Sequence, residues 1–181
     1  ITPDRALAIL DIQNMFNECS RDTCREELLK HEELRTLIPY FDLLYDSVNV
    51  CWYITDDGFH FFNQAEGFAQ GCPLSCFFAA LTLLRVLIPL NAELNARRLP
   101  HQLPTHTKSY IDDISSFLRY SDLTWFFSRF KELGAPNGIR FNFRSSFILT
   151  ANPANPLSLT FPQHMPTTSI LPLTISPTTP P

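Results

Sequence analysis

The sequence predicts an α+β fold, an antiparallel sheet with helices packed against one side. Three observations lead there. Short apolar runs of strand length alternate with segments whose apolar residues recur three or four apart. Two pairs of such runs are separated only by acidic turn residues, Asp56-Asp57-Gly58 and Asp112-Asp113, which is the pattern of a hairpin. One long apolar stretch, Leu74 to Leu90, is interrupted by Arg85 and reaches Pro89, which suits a buried helix better than a span of ~20 apolar residues across a membrane. Strands and helices in irregular alternation, with hairpins, give a sheet backed by helices.

Taken in order, Ala6–Ile12 is an apolar run of strand length that ends on Asp11 and Ile12. Ser20 is placed to cap a helix running to about His31, with Asp22, Glu26 and Glu27 near its positive end. Pro39–Ser47 reads as a further helical piece. Val48–Ile54 and Phe59–Phe62 form the first hairpin, with Asp57-Gly58 supplying its turn. Pro73 or Leu74 opens the long apolar helix, since proline is tolerated in a first turn. Thr107–Ile111 and Ile114–Leu118 form the second hairpin around Asp112-Asp113. Ser121 caps Asp122–Leu133, whose Leu123, Phe126, Phe127 and Phe130 fall on one face. Gly138–Phe143 and Ser146–Leu149 end the ordered part as short strands.

Composition bounds the domain. Of 181 residues, 45% are hydrophobic and 13% aromatic, enough for a core, and the net charge is −4, unlike the basic surplus of a free-standing nucleic-acid binder. The last charged residue is Arg144, and eight of the 15 prolines follow it. Residues 1–150 are therefore read as the domain, and 151–181 as an uncharged, Pro/Thr-rich tail that is disordered or extended. Five cysteines, an odd number in apolar segments, point to reduced thiols and an intracellular setting, nucleus or cytoplasm. No N-terminal signal is visible. Neither a zinc spacing of Cys and His nor a Gly-x-Ser-x-Gly elbow is present.

The chemistry concentrates in Tyr110-Ile111-Asp112-Asp113. Adjacent carboxylates between apolar runs repel one another unless a cation lies between them, and Mg²⁺ prefers such oxygens. Taken alone, the pair fits a solvated turn as well as a metal site. Asp11, a charge at the end of an apolar strand, tips that balance if the first strand and second hairpin are neighbours. Three carboxylates would then hold two Mg²⁺ ions, with Mn²⁺ as a substitute, ~3.5–4 Å apart for phosphoryl transfer. A third segment, Glu66 to Ser75, is a glycine-bearing loop that enters the long helix, where free N–H groups meet phosphate.

In this order the segments resemble the motifs of reverse transcriptases, and most closely those of non-LTR retrotransposons. Asp11-Ile12-Gln13-Asn14-Met15-Phe16 resembles the first catalytic motif. Ala69-Gln70-Gly71-Cys72-Pro73-Leu74-Ser75 is similar to the Gln-Gly-x-Pro-x-Ser loop, and Tyr110-Ile111-Asp112-Asp113 to the aromatic-x-Asp-Asp hairpin tip. Gly138-Ile139-Arg140-Phe141-Asn142 resembles the opening of a fourth motif.

The resemblance implies a polymerase palm, an antiparallel sheet with a catalytic hairpin backed by helices, here lacking fingers and thumb. It implies RNA-directed DNA polymerisation by two-metal nucleotidyl transfer, with an RNA template, a DNA primer and dNTPs as partners and no membrane. Asp11, Asp112 and Asp113 become the catalytic and metal-ligating residues, with the Ile12 carbonyl assisting. Phe16 becomes the gate against a ribose 2′-hydroxyl. Gln70 and Gly71 line the nucleotide pocket, and Tyr110, Pro73 and Ser75 lie toward primer and template.

The match departs from the family at Ser145, where a lysine is usual, with Arg144 beside it, at Ala69, where a basic residue is frequent, and at Cys76, where proline is usual. Two alternatives stand beside an active polymerase. One is a truncated or decayed palm that survives as a folded remnant or interaction module, and the other is an unrelated two-Mg²⁺ phosphotransferase.

Overall fold

The structure is a computed structural model that describes residues 4–98 and 105–150. Strand β1 (Arg5–Asp11) is followed by one short helical turn, α1 (Met15–Glu18), and by α2 (Arg21–Lys30). The Ser20 hydroxyl caps α2 by accepting the Thr23 N–H at 3.2 Å, as its position in the sequence predicts. After a 3-10 segment at Glu32–Leu37 come α3 (Ile38–Tyr45) and the hairpin β2 (Asn49–Thr55) and β3 (Gly58–Gln64). Then follow the long α4 (Ser75–Ala96), β4 (His106–Tyr110), β5 (Asp113–Arg119), α5 (Leu123–Gly134) and β6 (Phe147–Thr150).

The main sheet has the order β4-β5-β1-β6 and is antiparallel throughout. Alternation along a strand assigns its faces. Ala6, Ala8 and Leu10 of β1 are fully buried, and opposite them stand Leu118, Ser116 and Ile114 of β5. With Ile148 of β6 the apolar ones among them share one core with Phe126 and Phe130 of α5 and with Leu83, Val86 and Leu90 of α4. Each such large apolar side chain contributes on the order of 2 kcal/mol by leaving water. Ile9, Asp11, Asp113 and Ser115 fall on the other face, which the helices leave open.

Several expected boundaries move. Helix α4 begins at Ser75 rather than at Pro73 or Leu74, and it does not stop at Pro89. Proline removes one intrahelical hydrogen bond, yet Leu90 and Leu94 beyond it are fully buried, and that burial carries the helix on to Ala96. By length and composition α4 is able to cross a membrane, but half of its most apolar window is buried inside this fold. Helix α5 starts at Leu123, because Asp122 is buried and tied to Arg119 and Arg97 instead of entering the helix. Gly138–Phe143 makes no strand, only a single bridge between Phe141 and Ile12. There Phe141 is recruited as an aromatic plug, stacked 3.8 Å from the Phe130 ring.

The first hairpin turns on Asp56 and Asp57, with Gly58 already paired to Thr55, and it forms a two-stranded sheet of its own. Its Val50, Trp52, Ile54, Phe59 and Phe61 share one exposed face. Cys19 and Cys24 are buried free thiols, both pushed up to about 12 chiefly by burial, whereas Cys76 is exposed rather than packed in an apolar interior. The tail expected over 151–181 lies outside the described residues.

Candidate active site

Two neighbouring strands end on acids at the same corner of the sheet. Asp11 closes β1 and Asp113 opens β5, and the two are direct partners in the antiparallel register. Directly paired residues point to the same face, so these two carboxylates are neighbours across the strands. Tyr110, the last residue of β4, pairs with Asp113 on its other side and is 78% exposed. Between Tyr110 and Asp113 the chain turns through Ile111 and Asp112. Ile111 has φ of 55°, a left-handed conformation that a β-branched residue rarely adopts. Strain of this kind costs of order 1–3 kcal/mol and persists where surrounding contacts enforce it. One such contact is the Ile12 N–H, which donates to the Asp112 carbonyl at 3.1 Å and pins the turn against the end of β1. Ile12 itself is buried.

The third side of this corner comes from the segment after α5. The Asn142 N–H donates to the Asp11 carbonyl at 2.8 Å, and its side-chain Nδ2 donates to Asp11 Oδ2 at 2.7 Å. The Asp11 N–H in turn donates to Ser146 Oγ at 3.0 Å, and that hydroxyl donates to the Asn142 carbonyl at 2.7 Å. Ser145, at the position where the resemblance places a lysine, donates its N–H back to the Asn142 carbonyl, while Arg144 is exposed. Gly138 anchors the segment's start at φ of 69°, and a Cβ there would collide with the Glu18 carbonyl.

The glycine-bearing loop is anchored from below. Gly67 (φ of 72°) lies against the backbone of Phe16 and Asn17 and donates its N–H to the Cys19 carbonyl at 2.8 Å. Phe68 donates to the Phe16 carbonyl at 2.6 Å and buries its ring among Phe41, Tyr45 and Phe78. The Ser75 hydroxyl faces inward, donating to the Ala69 carbonyl at 2.6 Å beside the Tyr45 hydroxyl, and so closes the loop. Gln70, Gly71 and Pro73 remain exposed at the tip, and the space a Gly71 Cβ would occupy is open. Burial would raise the Cys72 thiol, yet hydrogen bonds from the Leu74 backbone, Ser75, Tyr40 and Tyr45 outweigh it and hold the thiol below its ordinary value. Phe16 is half-buried and packs against the core with one side.

Two contributors carry little sequence signal. Arg21 is buried, donating to the Gly67 carbonyl at 2.8 Å, the Ser47 carbonyl at 3.1 Å and Asn49 Oδ1 at 2.7 Å, with its guanidinium 5.0 Å from the Tyr45 ring. The one hint is its charge, which is unfavourable in the first turn of a helix and so asks for another partner. Asn142 stands out only as part of the fourth motif, which says nothing of its contact with Asp11.

The donor chemistry at the corner, hard carboxylate oxygens on Asp11 and Asp113 with Asp112 in the adjoining turn, fits a divalent cation. Among the described residues, however, no three His, Cys, Asp or Glu side chains stand together as a ready metal cluster. The fit therefore rests on the Asp11–Asp113 pair, not on a closed cage.

Solved structures with a similar fold include telomerases. The apo telomerase of Candida tropicalis superposes with a TM-score of 0.59 at 12% identity, over 83% of this chain and 29% of its own. Telomerase of the same organism in complex with the TWJ fragment of telomeric RNA gives 0.57 at 13% identity, over 87% and 27%. The corresponding complex from Candida albicans gives 0.55 at 12%, over 85% and 28%. The chain thus spans less than a third of the length of these neighbours. Telomerase is a polymerase of the reverse-transcriptase type, and what this chain shares with it is a fold, mixed α/β with antiparallel sheets. No family model matches the sequence. No curated protein matches it either.

Proposed function

We propose that this chain is the palm of a reverse transcriptase and carries the residues for RNA-directed DNA polymerisation. The observation that carries the reading is the register of β1 and β5, which pairs Asp11 with Asp113 beside the Asp112 turn. Asp11, Asp112 and Asp113 would hold two Mg²⁺ ions, or Mn²⁺, with the Ile12 carbonyl assisting. When bound, such ions lower the pKa of a primer 3′-hydroxyl and offset charge on the leaving pyrophosphate.

In the reaction the primer oxygen forms a bond to the α-phosphorus of a dNTP, and the bond from that phosphorus to the pyrophosphate oxygen breaks. The chain's own residues orient the reactants. The exposed Gln70-Gly71 tip lines the nucleotide and template pocket, and the half-exposed Phe16 ring excludes a ribose 2′-hydroxyl. Tyr110 and Pro73 face primer and template. Assignment to the non-LTR type and to an RNA template rests on the motif residues alone, and RNA binding in general is supported by the RNA-bound telomerase neighbours.

The test is Mg²⁺- or Mn²⁺-dependent dNTP incorporation on a primed RNA template. Incorporation that vanishes in Asp112→Asn supports the reading, and incorporation no greater than in that variant rejects it. A second reading, a folded palm without standalone activity, is favoured by Ser145 in the lysine position, which leaves no ready acid for pyrophosphate, and by the exposed apolar face of the β2–β3 hairpin.

A further inference from the structure

We infer that Asn142 is the positioning residue of this site: its side chain fixes the carboxylate of Asp11 so that one oxygen is tied and the other is presented to a metal ion. The inference rests on the proposed reading of Asp11 as a metal ligand and adds to it the residue that aims that ligand.

The orientation of the Asn142 amide is determined by its neighbours. The Arg144 N–H, which only donates, lies 3.2 Å from Oδ1, so Oδ1 must be the accepting atom there. That leaves Nδ2 to face the opposite way, where its two protons go to Asp11 Oδ2 at 2.7 Å and Ser145 Oγ at 3.1 Å. All three polar functions of the amide are engaged, and the residue is half-buried. The same residue grips the Asp11 carbonyl through its backbone N–H at 2.8 Å, so main chain and side chain hold Asp11 together.

Among the described residues, Asp11 Oδ1 carries no hydrogen bond. A neutral amide suits this task. It donates to a carboxylate without adding a charge that would compete with a cation, as a lysine or arginine in its place would do. Outer partners of this kind change metal affinity by roughly 10–100-fold when removed.

The experiment is Mn²⁺ binding to the full chain, followed by EPR, with Mn²⁺ alone as the probe. The variants are Asn142→Leu, Asn142→Ser, Asp11→Asn and Thr23→Val. Thr23 Oγ1 donates to Asn137 Oδ1 at 2.7 Å, so Thr23→Val loosens the same segment without touching Asp11. Asn142→Leu is expected to weaken Mn²⁺ binding about 10-fold and to change the bound-ion spectrum, with Asn142→Ser in between. Thr23→Val is expected to lower the melting temperature but leave Mn²⁺ affinity within about two-fold of the parent chain.

A folded Asn142→Leu that binds Mn²⁺ like the parent overturns the inference while leaving the proposed function standing. Thr23→Val weakening Mn²⁺ as much as Asn142→Leu does the same, since the effect would then be one of segment stability. If Asn142→Leu does not fold, Asn142→Ser decides by the same criterion. Parent binding that Asp11→Asn does not reduce overturns the metal reading itself, and this inference with it.

Discussion

Asp11 and Asp113 are direct partners across two antiparallel strands, two carboxylates placed side by side at the open corner of the sheet. Like charges opposed in this way destabilise a sheet by roughly 0.2–1 kcal/mol. Activity and stability should therefore respond with opposite signs. Asp113→Asn is expected to raise the urea midpoint in EDTA by an amount equivalent to a few tenths of a kcal/mol or more. The same change should reduce dNTP incorporation by about 10³-fold or more, since metal stabilisation of the transition state is worth several kcal/mol. A variant less stable than the parent in EDTA would show that the pair carries no repulsion.

Gly138→Ala should destabilise the fold by about 2 kcal/mol or more, because φ of 69° is strained for alanine and its Cβ meets the Glu18 carbonyl. Gly71→Ala shares the positive φ but has open space around its Cβ. Its cost is expected to stay near ~1 kcal/mol, from backbone strain alone. Chemical denaturation of the two variants side by side measures the difference.

Replacing Arg21 with Met removes three donors at once and leaves the carbonyls of Gly67 and Ser47 and the Asn49 amide oxygen without them. A loss of about 2–4 kcal/mol is expected, as each buried acceptor left unsatisfied costs ~1–3 kcal/mol and the sites relax in part. Hydrogen exchange should report the opening first at Gly67 and Phe68, since Arg21 joins α2 to the glycine-bearing loop.

Acid should weaken the α2–α4 contact. Burial pushes the Glu27 carboxyl up, but hydrogen bonds from Lys30 and Arg85, at 2.6 Å each, outweigh it and hold the carboxyl below its ordinary value. A folded-state pKa depressed in this way contributes stability that is present above the unfolded value, ~4.3, and lost as pH falls through the folded value. Melting temperature should drop below about pH 4, and in Glu27→Gln that drop should be shallower on a lower plateau. An unchanged acid limb in Glu27→Gln would rule out this pair as a contributor.

Legibility differed between elements for physical reasons. The Ser20 cap and the Phe126-Phe127-Phe130 stripe were readable because both are local, involving residues three or four apart. The continuation of α4 past Pro89 was not, since the burial that outweighs the proline lies in contacts with distant α5 and β-strand residues. The inward turn of the Ser75 hydroxyl was likewise invisible, because the Ala69 carbonyl and the Tyr45 hydroxyl meet it only once the loop is folded.

From the sequence by itself came the order of the acidic and glycine-bearing segments, the hairpins around them and the apolar periodicity that makes an α+β fold. All of these are properties of neighbouring residues and their periods. The tertiary structure alone decided that Asp11 stands in register with Asp113, that the strained Ile111 turn is pinned by the Ile12 N–H, and that Asn142 grips Asp11 from 131 residues away. Register and long-range hydrogen bonds depend on how strands and loops meet in space, and no local pattern along the chain encodes those distances.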